Sequence, residues 1–450
     1  MATYLTRTPA SAGNRKTFTI SAWFKKNPLV VQNIMYSNVS QESVYQFTST
    51  GQINYYEYSG GYTSRLLTNA VYTDGSAWYN VVLAVDTTQA TSSNRLKMYV
   101  NGEQVTSFSA ATYPSQNFES YNINNNSLQT IGANNGNDGF SGSMSHFNFI
   151  DGTAYDASAF GSTDATTGEW KINTSPSVTY GTNGFFILKD GNSVTDQSGN
   201  SNNFIVAGGI LNNTEDCPSN NFATWNATDR WLGNTAGNGD FLRNGNNYFR
   251  TTSDAQKALV RSTIGVTSGK YYCEMKVTQI ERTWVGILNR QFFTSATNNF
   301  WTTGLSSGFF WYGNGPAVYN ANNQTSSSYG GYANGDIVMM ALDMDNYAWY
   351  LGKNGTWLNS GDPTSGASKT GSVTEETNFG TTPLTNYDEV FFMASEPSAA
   401  GIAQVEANFG NGVFQTTAVA SAGTNASGIG IFEYDVPTGY AALSTKGLNL

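Results

Sequence analysis

Charged residues and histidine are scarce in this sequence. Only 12% of the 450 residues are charged, about half the usual share, and His146 is the single histidine. Nucleophilic triads usually need histidine as the base, and a typical zinc site needs three or four His, Cys or carboxylate ligands. One histidine and two separated cysteines therefore argue against both kinds of chemistry. His146 stands in an apolar stretch, which favours a packed side chain. The protein is therefore predicted not to be an enzyme.

Cysteine is also scarce, and basic clusters and long apolar runs are missing. Cys217 and Cys273 lie in different contexts, so no disulfide framework is indicated. The net charge is −10 without a Lys/Arg cluster, which argues against a nucleic-acid partner. No run reaches the ~20 apolar residues of a membrane span, and the N-terminus lacks the apolar core of a signal peptide. We expect a soluble protein made in a cytoplasm, without membrane insertion.

Glycine, aromatic residues and turn signals are abundant instead. The chain has 47 glycines and 14% aromatic residues. Turn residues recur about every dozen positions and few stretches are typical of an amphipathic helix, which predicts an all-β protein. A chain of this length favours two or three domains.

One hairpin pattern occurs twice, at residues 78–105 and 335–358. In each copy an apolar run ends in aspartate, a second apolar run follows, and an Asn-Gly pair comes next (Asn101-Gly102 and Asn354-Gly355). Asn-Gly suits a tight hairpin because both residues tolerate positive φ. Both alternating sides of the first run, residues 81–85, are apolar, which indicates a strand covered on both faces. We therefore predict two tandem β-sandwiches, each built over one hairpin.

The first half resembles the laminin-G/concanavalin-like lectin-glucanase domain over residues 15–160. The resemblance rests on FTISAWFK (18–25), the first hairpin, IGANN (131–135) and residues 140–161. The amino-acid sequence of this region is similar to that of lectin-like modules in bacteriophage tail-fibre and other virion proteins. Residues 1–14 are interpreted as a lead-in.

The second half resembles the SPRY (B30.2) domain over residues 222–415. Four sequence motifs that are typical of that family occur in the expected order, at residues 269–274, 284–286, 335–355 and 408–410. Because SPRY domains are concanavalin-like sandwiches as well, the resemblance implies two tandem concanavalin-like jelly-roll β-sandwiches. The predicted domains are 1–211 (lectin-like), a linker at 212–221, and 222–450 (SPRY-like with a C-terminal extension). The tail after residue 415 is expected to add an edge strand or to pack on a neighbouring subunit.

Aromatic and amide residues concentrate in three clusters that we expect in loops. Tyrosine, glycine and asparagine make adaptable, low-charge recognition surfaces. An alternative is that many of these rings cap the sandwich ends or lie in subunit contacts. The candidate ligand-binding residues are Tyr55, Tyr56, Tyr58, Tyr62, Trp311, Tyr312, Asn314, Tyr329 and Tyr332.

No cofactor is expected, although calcium is a candidate ligand. Asp196 and Asn200 belong to a stretch with side-chain oxygens at alternate positions, and Asp138 lies in a second polar loop. Ala207 stands where an EF-hand loop requires glutamate, so the stretch is not an EF-hand. A turn stabilised by the aspartate side chain is the competing interpretation.

These features suggest a structural virion protein of a bacteriophage, made in the host cytoplasm. The leading hypothesis is a fibre or adhesin that recognises a host-surface glycan or protein. The second is a capsid-attached head fibre or decoration protein that packs mainly on other virion proteins, and the third is a polysaccharide depolymerase. Sandwich glucanases place Glu-x-Asp-x-x-Glu on one strand, and this chain has no such run, which disfavours the third hypothesis. A homo-oligomer, by resemblance a trimer, is expected.

Overall fold

The computed structural model contains two compact units. Unit 1 comprises residues 1–213 with 217–219, and unit 2 comprises 214–216 with 220–450. The residues that the structure describes are 2–26, 30–189, 193–232, 241–251, 258–290, 308–314, 318–320, 323–324, 329–375, 384–396 and 401–449.

The described part of unit 1 is built from β-strands. They are β1 (Tyr4–Arg7), β2 (Thr17–Lys26), β3 (Gln32–Asn38), β4 (Glu42–Phe47), β5 (Ile53–Tyr58), β6 (Tyr62–Thr68), β7 (Tyr79–Asp86), β8 (Leu96–Val100), β9 (Glu103–Gln104), β10 (Phe108–Thr112), β11 (Gln129–Ile131), β12 (Gly142–Asp151), β13 (Gly161–Thr163), β14 (Trp170–Ile172), β15 (Phe185–Ile187) and β16 (Ile205–Ala207). Short 3₁₀ turns cover Ser92–Asn94 and Ala157–Ala159.

Two antiparallel sheets form the sandwich of unit 1. One has the order β10-β6-β5-β4-β3-β11-β1-β16 and the other β15-β12-β2-β7-β8-β9, while β13 and β14 pair separately. Side chains from both sheets, such as Phe18, Leu83 and Tyr45, meet in one buried core. Burying each large apolar side chain contributes about 1.5–3 kcal/mol to stability. Residues predicted as a lead-in contribute β1, which pairs with β11 and β16.

The described part of unit 2 is also built from β-strands. Its strands are β17 (Trp225–Leu232), β18 (Leu242–Arg243), β19 (Tyr248–Arg250), β20 (Ala258–Ser262), β21 (Lys270–Gln279), β22 (Trp284–Asn289), β23 (Gly308–Tyr312), β24 (Val318–Asn320), β25 (Asn323–Gln324), β26 (Ile337–Asp343), β27 (Ala348–Lys353), β28 (Thr356–Trp357), β29 (Val390–Glu396), β30 (Gln404–Asn408), β31 (Val413–Phe414), β32 (Thr417–Ala418) and β33 (Ala441–Ala442). Its 3₁₀ turns cover Gly366–Ser368, Val373–Glu375, Leu384–Asn386 and Gly447–Asn449.

The sheets of unit 2 have the orders β17-β20-β29-β22-β23-β24-β25 and β18-β19-β30-β21-β26-β27-β28. The C-terminal residues cover the outer face of the second sheet, where Phe432 and Tyr440 join a cluster with Tyr272 and Tyr350. Strand β33 runs parallel to β21. The tail, expected at an edge or on a neighbouring subunit, therefore packs on its own unit.

The two predicted hairpins are confirmed in detail. Asn101 and Gly102 have φ of 48° and 86°, and Asn354 and Gly355 have 49° and 82°. In each hairpin the asparagine Oδ1 accepts the backbone N–H at the start of the first strand, from Asn80 at 2.8 Å and from Ile337 at 2.8 Å. The same local sequence therefore builds the same capped turn twice.

The predicted double-sided burial of the first hairpin strand is also confirmed. Val81, Leu83 and Val85 lie in the sandwich core, whereas Val82 and Ala84 pack under residues 155–180. In β26 the alternation repeats, since Val338, Met340 and Leu342 enter the core while Met339 and Ala341 face the C-terminal cover. Each hairpin therefore lies in a middle layer between the other sheet and a covering segment. Both units are β-sandwiches, and the all-β jelly-roll class is confirmed.

Among the described residues, no helix combines the length and apolar character that crossing a membrane requires.

Candidate functional site

Strand β5 divides its side chains between the core and the surface of unit 1. Successive side chains of a strand point to opposite faces. Ile53, Tyr55 and Glu57 therefore enter the core, whereas Tyr56 and Tyr58 project from the outer face of the larger sheet. Tyr56 is paired in register with Arg65 of β6, so both side chains emerge on the same side.

Three tyrosine rings meet on this outer surface, around the β5–β6 turn. The ring of Tyr62 lies 5.5 Å from that of Tyr56 and 5.3 Å from that of Tyr58, with interplanar angles of 85° and 72°. Such edge-to-face contacts are favourable for aromatic rings and hold them in place. Tyr58 and Tyr62 remain 37% and 44% exposed. We call this surface the tyrosine face; its members are Tyr36, Glu42, Asn54, Tyr56, Tyr58, Tyr62 and Arg65.

Charged and amide groups border the rings. The guanidinium of Arg65 lies 4.4 Å from the centre of the Tyr62 ring, and its Nε donates to Asn54 Oδ1 at 3.3 Å. On the other side of β5, Glu42 Oε2 accepts a hydrogen bond from the Tyr56 hydroxyl at 3.4 Å. The face thus combines apolar ring surface with a cation at one side and a carboxylate at the other.

Burial shapes the titration of two of these tyrosines. Desolvation, reinforced by the nearby Glu42 carboxylate, raises the pKa of Tyr56 well above its ordinary value. Desolvation also raises the pKa of Tyr36, against the lowering effect of the hydrogen bond that its hydroxyl accepts from Asn38 Nδ2 at 3.0 Å. Both hydroxyls therefore stay protonated at neutral pH, and that of Tyr56 already donates a hydrogen bond to Glu42.

Tyr55 does not belong to this surface, and its prediction as a ligand-binding residue is wrong. Its ring is buried, and its hydroxyl donates to Glu57 Oε1 at 2.8 Å. The cluster at residues 55–62 also lies mostly in β5 and β6 instead of a loop. The strand register, which sets one side chain inward and the next outward, separates Tyr55 from Tyr56.

Three predicted binding residues of unit 2 are core residues as well. The indole N–H of Trp311 donates to Gly330 O at 2.9 Å, and its ring meets that of Tyr332 at 4.7 Å. The Tyr332 hydroxyl lies 2.8 Å from Thr283 O. Trp311, Tyr329 and Tyr332 are each buried, so none presents a ring face to solvent. Their assignment to a ligand surface is corrected to sandwich packing.

The neighbouring residues of that cluster do reach the surface. Tyr312 is half-buried, stacks on Trp284 at 5.2 Å and accepts a hydrogen bond from Arg282 Nη1 at 3.3 Å. Asn314 is exposed. Ligand binding at these two positions stays a prediction.

The Asp196 carboxylate is occupied by protein donors. Oδ1 accepts the N–H groups of Phe186 and Ser198 at 2.8 and 2.9 Å, and Oδ2 accepts the Asn202 N–H at 2.9 Å. The Asn200 amide donates to Gly181 O at 2.7 Å. This is the turn considered as the alternative, and metal binding by Asp196 and Asn200 stays a prediction.

Asp138 remains an untested calcium candidate. It is exposed with φ of 47°, and its backbone carbonyl accepts the Asn33 N–H at 3.1 Å. Within the described ranges, no three His, Cys, Asp or Glu side chains come together in a way that could hold a metal ion. Calcium binding therefore stays a prediction.

Sequence reasoning missed several members of the tyrosine face. Tyr36, Glu42, Asn54 and Arg65 come from four strands and become neighbours only through sheet pairing. The register joins Tyr36 to Val44, Val44 to Tyr56 and Tyr56 to Arg65. The available signal was the alternation along β5 combined with the Ser59-Gly60-Gly61 turn, which pairs β5 with β6.

Residues 2–158 match the family described as the concanavalin A-like lectin/glucanases superfamily, under the name Laminin_G_3. The match lies within unit 1 and contains the whole tyrosine face. This part of the chain is therefore similar to that family, in agreement with the resemblance noted for residues 15–160. Curated proteins gave no match.

Three solved structures illustrate what the chain is similar to. The SPRY domain of human HERC1 is 17% identical, covering 41% of this chain and 96% of its own, with a TM-score of 0.29. A heptameric SAP-like pentraxin from Limulus polyphemus is 12% identical, covering 47% and 94%, with a TM-score of 0.30. Domains LG4-5 of the mouse laminin alpha1 chain are 10% identical, covering 97% and 92%, with a TM-score of 0.28. At these values the three structures say nothing about the ligand of this chain.

Proposed function

We propose that the chain is a non-enzymatic glycan-binding protein and that the tyrosine face of unit 1 is its binding surface. The observation that carries the proposal is the set of exposed rings at Tyr58 and Tyr62, held beside amide and charged groups on one sheet. Binding sites commonly combine apolar and aromatic surface with a few placed polar groups. Here the rings offer flat apolar surface to the C–H faces of a sugar, and the polar groups lie within reach of its hydroxyls.

The strands that carry the tyrosine face also favour binding, because they hold its side chains in place. Its side chains stand on neighbouring strands whose opposite faces carry Tyr45, Tyr55 and Leu66 into the core. A site on rigid elements holds its geometry better than a site on loops. Tyrosine also loses little conformational entropy on binding, because it has only two side-chain torsions.

We further propose that the protein works on a bacteriophage particle as a fibre or adhesin that recognises a host-surface glycan. The support is the similarity of residues 15–160 to lectin-like modules of virion proteins, together with the scarcity of charged side chains. In this setting the chain is made in the host cytoplasm, assembles as a homo-oligomer, trimer by resemblance, and contacts other virion proteins. A mainly structural role as a head fibre or decoration protein is the alternative.

Two matched variants test the binding proposal. Tyr58→Ala removes a ring that is 37% exposed on the tyrosine face, and Tyr347→Ala removes an equally exposed ring in unit 2. Purified proteins are screened on a glycan array and on host polysaccharide, and dissociation constants are measured by calorimetry. We expect Tyr58→Ala to weaken binding about tenfold or more, as for a residue that carries much of the binding energy, and Tyr347→Ala to leave it unchanged.

The outcomes separate the alternatives. Equal affinity of wild type and Tyr58→Ala for every glycan bound would place the site elsewhere. No binding by folded, assembled protein would favour the structural role. New reducing ends in polysaccharide incubated with the protein would indicate a depolymerase instead.

A further inference from the structure

The Arg65 side chain is held in one orientation by neutral groups. Its guanidinium stacks over the Tyr62 ring, and its Nε donates a hydrogen bond to Asn54 Oδ1. Within the described ranges, neither of its two terminal amino groups makes a hydrogen bond or ion pair with a carboxylate or carbonyl oxygen. Other arginines of unit 1 differ, since Arg15 pairs with Glu119 and Arg95 donates to three backbone carbonyls.

A cation arranged in this way is suited to a planar anion. The guanidinium fork matches a carboxylate through two parallel N–H···O bonds, which lysine cannot make. Because the stack on Tyr62 already orients the fork, little side-chain freedom is lost when an anion arrives. The half-buried position of Arg65 beside the rings also excludes part of the solvent that would screen the pair.

The charges of the face give a bound sugar a direction. Arg65 stands on β6 opposite Tyr56, whereas Glu42 stands on β4 opposite Tyr58, on the other side of β5. The Glu42 carboxylate accepts hydrogen bonds from hydroxyl groups and repels anions. An acidic sugar would therefore turn its anion toward Arg65 and its hydroxyls toward Glu42.

Resting on the proposed function, we propose that the glycan recognised by the tyrosine face contains a carboxylate-bearing sugar, a uronic acid or a similar acidic residue, whose carboxylate pairs with Arg65. The rings supply contact with the sugar face, and Arg65 supplies selection for the acid group.

The test compares three uronate polymers, polygalacturonate, alginate and hyaluronate, with their carboxyl-reduced neutral forms. The variants are Arg65→Gln, Arg65→Lys and the control Lys97→Gln. Lys97 lies in β8 of the other sheet, paired with Ala84, so its loss changes the net charge equally without touching the face. Binding is measured by calorimetry at low and high salt, and circular dichroism verifies folding.

For the wild type we expect at least one uronate polymer to bind about tenfold more tightly than its reduced form, as for a hydrogen-bonded charge pair. Arg65→Gln should abolish this preference while leaving the neutral form bound as before. Arg65→Lys should keep part of it, and Lys97→Gln all of it. High salt should reduce the preference.

Four results would overturn the inference. Equal binding of acidic and neutral forms, with both still weakened by Tyr58→Ala, would leave the proposed function standing and remove the acidic ligand. An equal effect of Lys97→Gln would mean general charge attraction. Binding of dextran sulfate, lost in Arg65→Gln while no uronate binds, would identify a sulfated sugar. Absence of all glycan binding would refute both proposals.

Discussion

Glu274 in unit 2 is a buried carboxylate that holds the C-terminal segment to the sheet. It accepts the backbone N–H groups of Glu433 and Tyr434, each at 2.8 Å, and the Tyr272 hydroxyl at 2.9 Å. Its side chain is fully buried. Desolvation, only partly offset by these hydrogen bonds, raises the pKa of Glu274 from 4.5 to about 7. We predict that the stability of unit 2 depends on pH through this group.

The sign and size follow from linkage between protonation and folding. A carboxyl whose pKa is higher in the folded than in the unfolded state makes the protein less stable as pH rises between the two values. At about 1.4 kcal/mol per pKa unit, the rise from 4.5 to about 7 corresponds to a loss of about 3 kcal/mol between pH 4.5 and pH 7. Carboxyl groups whose pKa is lowered on folding, such as Asp86, change the stability only below this pH window, near pH 4 and under.

Glu274→Gln tests the prediction because glutamine cannot ionise. Unfolding in guanidinium is followed at pH 5, 6, 7 and 8 by tryptophan fluorescence, to which four fully buried tryptophans of unit 2 contribute: Trp225, Trp284, Trp311 and Trp349. Hydrogen exchange reports separately on residues 431–436. We expect the wild type to lose about 3 kcal/mol of unfolding free energy over this range relative to the variant, and the variant's amides at 433 and 434 to exchange faster.

Glu57→Gln is the matched control in unit 1. Glu57 is buried in the same way, accepting from Ser43 and Tyr55, and burial raises its pKa too. Its substitution should change the pH dependence of unit 1 and leave that of residues 431–436 as in the wild type. Identical pH profiles for wild type and Glu274→Gln would refute the argument.

Two further stability predictions follow. Lys26 Nζ is buried, lies 4.8 Å from the centre of the Phe47 ring and has no hydrogen-bond partner among the described residues. Desolvation lowers the pKa of Lys26 to about 8. The buried charge of Lys26 destabilises the fold fully below pH 8, and this effect disappears as the pH rises toward 10.5. Lys26→Met should therefore stabilise unit 1 by about 1–3 kcal/mol at pH 7. An unchanged denaturation midpoint would contradict this prediction. Gly102→Ala places Cβ 2.5 Å from the Trp170 ring at φ of 86° and should cost about 1–3 kcal/mol, whereas Gly60→Ala, at φ of 68° with open space, should cost less.

Local chemistry made much of the fold predictable. The Asn-Gly turns require positive φ at adjacent residues. In the hairpin strands both alternating sets of side chains are apolar, which indicates burial on two faces. Both are short-range properties, so reasoning from the sequence predicted the two hairpins and the layer above each. The covering segments themselves, residues 155–180 and the C-terminal tail, have no local signature of the surface that they cover.

The candidate site was only partly predictable, and the reason lies in strand pairing. Tyrosine density pointed to residues 55–62, but the pattern did not separate Tyr55, bound to Glu57 in the core, from Tyr56 on the surface. In unit 2, Trp311 and Tyr332 have the composition of a binding loop yet fill the sandwich interior.

The amino-acid sequence by itself determined the all-β class, the two hairpins and the region rich in tyrosine, because turns and alternation are properties of adjacent residues. Only the tertiary structure decided that Tyr36, Glu42, Tyr56 and Arg65 share one surface, because their strands are brought side by side by register. It also decided that Glu274 binds the tail, since hydrogen-bond partners distant in the chain are chosen by folding.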